Sequence, residues 1–171
     1  MKTFTPRFWL AAALVAFGVI LRVAPHPWNF APIGAIALFA GAHFERRTFG
    51  VLVPLLAMFL GDLFAGLNFL TPAIYATYAL IAAVGMLLRE RRTSPAAIGG
   101  GVLLSSALFF LISNFAMWAL GTTYAKTAAG LVACYVAAIP FFGNTLVSDA
   151  LFTTILFGAF ATVERRAPRF A

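Results

Sequence analysis

Apolar residues fill this chain in long runs separated by short polar clusters, and those runs predict the elements. A helix crossing the hydrocarbon core needs roughly 20 largely apolar residues, with about 17–25 as the working range. The runs are Phe8–Ala24, a short Phe30–Phe44, Thr48–Leu67, Thr71–Leu88 and Pro95–Leu120. A last stretch, Thr127–Val163, is too long for one simple crossing. Pro140 and the Gly143-Asn144 pair punctuate it, and a proline removes a helical donor and clashes with the preceding turn. The pattern therefore predicts a short segment, Ala128–Ile139, lying shallow or re-entrant on the outer side, and a final span, Phe141–Val163. The expected fold is all-α: a polytopic membrane helix bundle of six transmembrane helices plus that short helix, one integral membrane domain over residues 1–171.

Composition agrees with this reading. Of the residues, 63% are hydrophobic and 10% charged, against about 45–50% and about 25% in soluble domains. A soluble globular enzyme and a disordered chain are excluded. The single cysteine, Cys134, excludes a disulfide framework or a cysteine-rich metal site. No Gly-rich Lys-Ser/Thr phosphate loop occurs, so the chain does not hydrolyse ATP itself. Lys2 and Arg7 before the first run resemble a secretory signal. Arg22 and the Pro25–Pro27 turn follow where a small-residue cleavage site would stand, so the first run is read as a retained span.

The net charge of +7 becomes informative once it is placed on the spans. Cytoplasmic loops carry the excess of Lys and Arg. With both termini inside, the inner side collects Lys2, Arg7, Arg46, Arg47, Arg89, Arg91, Arg92, Arg165, Arg166 and Arg169, and the outer side only Arg22 and Lys126. This ten-to-two split predicts a multi-pass membrane protein with both termini cytoplasmic, and it breaks down if Ala128–Ile139 also crosses. The charge is then explained by topology and by the anionic lipid bilayer, with no nucleic-acid partner.

Only five acids exist. Glu45, Glu90 and Glu164 sit beside arginines at inner borders. Asp62 and Asp149 fall inside apolar spans, where an ionisable group costs at least ~2.5–3.5 kcal/mol and faces a partner or a cavity. Either the two acids make helix–helix hydrogen bonds or they form a polar site. Topology puts Asp62, Asn114, Trp118, Asn144 and Asp149 at one depth near the outer side, with Trp28, His26 and Asn29 at the outer turn. That clustering favours an outward-facing pocket in which Asp62 and Asp149 share a cavity with Asn114 and Asn144. The Pro25–Pro32 stretch forms a stiff connector at its mouth. His26 and His43 lie on opposite sides, so no two-histidine metal site is expected, and no cofactor is. Cys134 is either an apolar filler or a thiolate ligand to a metal-containing molecule such as a corrinoid cobalt. Ala12 and Ala16 place small residues on one face of the first span, which permits close helix approach.

Six spans, both ends inside, a short second helix and Ala-x-x-x-Ala on the first resemble the substrate-binding S components of energy-coupling-factor vitamin transporters. Trp28-Asn29-Phe30-Ala31-Pro32-Ile33-Gly34-Ala35, Ile112-Ser113-Asn114-Phe115-Ala116-Met117-Trp118 and Cys134–Asp149 further resemble an uncharacterised bacterial membrane family grouped near those components. The resemblance implies capture of a small-molecule substrate, vitamin-like, with cobalamin as one sub-case, from the outer side. It also implies docking of Ala12 and Ala16 on a membrane coupling subunit connected to ATPases. The competing expectation is a non-transporting structural or assembly subunit of a membrane complex, which needs no convergent pocket. An intramembrane enzyme is disfavoured because neither H-E-x-x-H nor G-x-S-x-G occurs.

Overall fold

The computed structural model describes residues 6–25 and 27–166, which form helices without a strand. In chain order these are α1 (Pro6–Val23), α2 (Ile33–His43), α3 (Arg47–Ala65), α4 (Thr71–Leu87), a single 3-10 turn (Arg89–Arg91), α5 (Pro95–Leu120) and α6 (Ala128–Arg166). The helices begin and end where the apolar runs do, and local signals sharpen the boundaries. Ser94 accepts from the Ala97 amide at 3.4 Å and Pro95 occupies the first turn, an N-terminus in which the cap meets a donor and the proline wastes none. At the far end of α5, the Lys126 ammonium donates to the carbonyls of Trp118 and Gly121, a cation at a helix C-terminus.

Among the described residues, only α3, α5 and α6 are long and apolar enough to cross a bilayer by themselves. The shortest helix, α2, is the core. Residues Ile33 to Ala42 are all buried, as expected of a helix apolar on every side. Two glycines allow its closest approach: a Cβ on Gly41 would collide with the Ala82 carbonyl of α4, and one on Gly85 with the Leu38 carbonyl of α2. Helix directions alternate. Arg89 ties the α4 end to the α2 end, donating to the carbonyls of Gly41 (3.1 Å), Phe44 (2.7 Å) and Glu45 (3.3 Å). Arg92 pairs with Glu164 at 3.6 Å. One end of the bundle thus carries Arg46, Arg47, Arg89, Arg91, Arg92 and Arg165, and the opposite end Arg22 and Lys126.

The sixth helix corrects the sequence reading. Ala128–Ile139 is not a separate shallow element; α6 continues unbroken through Pro140 for 39 residues, ~58 Å at ~1.5 Å per residue. The proline forfeits one backbone bond, and α5 holds both flanks in line. Phe110 lies against Tyr135 before the proline and Phe142 after it, with ring centroids 5.5 and 5.0 Å away. The Tyr135 hydroxyl donates to the Leu111 carbonyl at 2.7 Å. Neighbouring helices commonly compensate a proline in this way in apolar bundles.

Candidate functional site

The connector between α1 and α2 does not ride over the end of the bundle but is anchored on the side of α6. Asn144 donates from Nδ2 to the Trp28 carbonyl at 3.0 Å, and Ser148 from Oγ to the Ala31 carbonyl at 3.0 Å. Between these anchors Asn29 takes a positive φ of 59°, a conformation asparagine tolerates better than most residues. α6 therefore runs on past the connector, and a recess forms beside it, at the end opposite the arginines.

This recess has two compartments. The deeper, about 360 Å³, is lined by residues including Arg22, Trp28, Gly34, Tyr78, Thr145 and Asp149. The shallower, about 210 Å³, includes Ser113, Asn114, Met117 and Phe142. Asn29, Ile74, Phe109 and Thr145 line both, so the compartments adjoin.

Asp149 is the chemical focus of the deeper compartment. It is 4% exposed, and Ser106 of α5 donates to its Oδ2 at 2.7 Å. Its Oδ1 rests at the first turn of α2, where a Cβ on Gly34 would collide with it. A helix N-terminus favours a negative charge, and glycine there lets the carboxylate come close. Tyr78, 9% exposed, lines the same compartment. The neighbouring faces of α5 and α6 carry further buried hydroxyls: those of Ser105 and Thr153 have no partner among the described residues.

Asp62 behaves differently. It is 3% exposed, receives Nε of Arg22 at 3.0 Å as well as Nη2, and accepts the Tyr75 hydroxyl at 2.8 Å. Arg22 lies across Gly61, where a Cβ would collide with its side chain. The expectation that Asp62 and Asp149 share one cavity with Asn114 and Asn144 is not met: the two acids point into different helix contacts, and Asp149 and Asn114 line adjoining compartments. Trp28, Asn114 and Asp149 line the recess; Asp62 and Asn144 do not, since one is held by Arg22 and Tyr75 and the other anchors the connector. Arg22, counted by sequence among the outer-side charges, folds inward and links Asp62 to the recess wall.

The remaining candidates are dispersed. Trp118 donates from Nε1 to the Ala125 carbonyl at 2.9 Å, with the Lys126 ammonium 5.8 Å from its ring centre, so it serves the α5–α6 turn. Trp28 is 79% exposed at the rim of the recess. Cys134 is buried with its sulfur 3.4 Å from the Asn114 carbonyl, inside the α5–α6 contact. Ala12 and Ala16 lie on the exposed side of α1, away from Leu14 and Gly18, which face the bundle. His26 lies outside the described residues.

Sequence reasoning missed Gly34, Tyr75, Tyr78, Ser106 and the inward role of Arg22. One signal was present: among the described residues, Arg22 is the only arginine at the end where both buried acids lie. Comparison with curated proteins and with solved structures returns no match. The sequence profile of DUF6580, a family of unknown function, matches residues 2–170, and the chain belongs to that family.

Proposed function

We propose that this protein is the substrate-binding subunit of a small-molecule uptake system of the bacterial inner membrane. In this reading six helices cross the bilayer, the arginine-rich end faces the cytoplasm, and the recess opens outward. The observation that carries it is Asp149: a buried carboxylate at the head of α2, facing a compartment of about 360 Å³. That volume falls within the roughly 300–1,000 Å³ of ligand pockets, which combine mostly apolar walls with a few placed polar groups. Asp149, Tyr78, Asn29 and Asn114 supply acceptors and donors, while Phe109 and Ile74 offer flat apolar surface. A single-ring vitamin-like molecule suits the space. The corrinoid variant draws no support, since a macrocycle exceeds this volume and the Cys134 sulfur is turned into the α5–α6 contact.

The chain catalyses no reaction in this reading. It works with a membrane coupling subunit and ATPases, as the S-component resemblance implies, and Ala12 and Ala16 offer an exposed face for that partner. A structural subunit is the second reading, favoured by the complete pairing of Asp62 with Arg22 and Tyr75.

Mass spectrometry of small molecules retained on gentle purification separates the two. A polar molecule retained by the wild type and lost from Asp149→Asn supports capture. If nothing is retained, and cells lacking the protein take up the same nutrients as the wild type, the structural reading replaces it.

A further inference from the structure

A second cavity, larger and not lined by Asp149, opens at the arginine-rich end. It measures about 850 Å³ and runs between the first half of α5 and the second half of α6, with His43 of α2 at its floor. Along α6 it extends from Leu146 to Arg165, ~28 Å at ~1.5 Å per residue. One leaflet of hydrocarbon is about 15 Å deep, so the groove spans such a leaflet and its headgroup layer. Ile98, Val102, Leu103, Leu146 and Phe157 make its walls apolar.

Two glycines on these walls have no packing explanation within the chain. Gly18, Gly41, Gly61 and Gly85 each lie where a Cβ would press on a neighbouring helix; Gly99 and Gly158 line the groove, and a Cβ on either would meet nothing within 4 Å, as is also true of the helical Gly100 and Gly143 outside it. Glycine inside a helix is destabilising relative to alanine; at Gly99 and Gly158 it leaves the groove walls without side-chain bulk. At the rim stand Arg92 and Arg165 with one acid, Glu164, which is paired to Arg92. The mouth of an apolar groove is therefore positive at the level where lipid headgroups lie.

We propose that this groove holds an acyl chain of an anionic phospholipid from the leaflet at the arginine-rich end, with the headgroup phosphate between Arg92 and Arg165. A transmembrane helix is the competing occupant, because Ala150, Thr154 and Gly158 follow small-residue spacing on one wall. The positive rim favours the phospholipid: a basic residue near the membrane surface attracts anionic lipid, whereas a helix requires no such charge.

Native mass spectrometry of the detergent-purified full chain, titrated with phosphatidylglycerol or phosphatidylcholine, tests this. The wild type should retain phosphatidylglycerol in preference, with roughly a fivefold loss of that preference for each arginine removed in Arg92→Gln and Arg165→Gln. Gly99→Leu with Gly158→Leu should fill the groove and release both lipids. Equal retention of both lipids by the wild type, or unchanged phosphatidylglycerol retention in the leucine variant, overturns the proposal. Loss of a protein partner from the leucine variant with lipid binding intact overturns it in favour of a docked helix. Should the leucine variant fail to fold, the arginine variants decide alone, and an unaltered lipid preference in them is a refutation.

Discussion

The carboxylate of Asp149 on α6 occupies the position that a side chain on Gly34 of α2 would need. The relationship fixes two things together: how closely α6 approaches the head of the central helix, and which group faces the recess. Gly34→Ala must push one of them aside. Overpacking of this kind costs typically 1–3 kcal/mol, so Gly34→Ala should lower the thermal midpoint in detergent and weaken ligand retention. Asp149→Ser in the same chain, being shorter, should restore part of the stability but not the retention. A double-mutant cycle with no coupling between the two sites would contradict this account.

Arg22 and Asp62 should depend on one another more than on any other residue. Removing one member of a buried ion pair strands the other, at about 3–5 kcal/mol, while removing both costs less. Arg22→Ala should therefore be more damaging than Arg22→Ala with Asp62→Ala. Tyr75→Phe should cost about 1.5–3 kcal/mol, the net worth of one hydrogen bond to a charged group, and less than the loss of Arg22, because Arg22 still covers the carboxylate. Equal destabilisation by Arg22→Ala and by the double variant would rule out the coupling.

The helix positions were legible because apolar runs and arginine clusters are one-dimensional signals. Arg46-Arg47 and Arg89–Arg92 mark the turns where α3 and α5 begin, and those limits hold in the structure. What was not legible depends on which faces meet. Pro140 argues locally for a break, and only the clasp of Phe110 on Tyr135 and Phe142 shows why α6 continues. Depth alone grouped Asp62 with Asp149, but depth carries no azimuth: Asp62 turns toward α1 and α4, Asp149 toward α2 and α5. Ser106 and Gly34 carry no signal of their own, being a small hydroxyl and a glycine in apolar runs rich in both.

The proposed orientation is testable with no knowledge of the ligand. Ten of the twelve Lys and Arg residues fall on the side that carries the chain ends when six helices cross, and the excess of positive charge faces the cytoplasm. A cytoplasm-active reporter fused after Ala171 should give signal and a periplasm-active one none. The reverse outcome would turn the recess toward the cytoplasm and remove the case for outer capture.

The exposed face of α1 is where the proposed coupling partner and the bundle would make different demands. Leu14 and Gly18 point inward, Gly18 so closely that a Cβ would press on Ala57 and Ile36. Ala12 and Ala16 point away, so bulk added there disturbs nothing inside the chain. Ala12→Leu with Ala16→Leu should leave the thermal midpoint and ligand retention within error of the wild type, since surface changes rarely exceed about 0.5 kcal/mol. Close helix approach across small residues, in contrast, is lost when they are enlarged. Uptake in cells should therefore collapse while binding persists. Gly18→Leu provides the contrast, because it should destabilise the bundle itself. Full uptake with both leucines present would mean that the partner docks elsewhere or that none is needed.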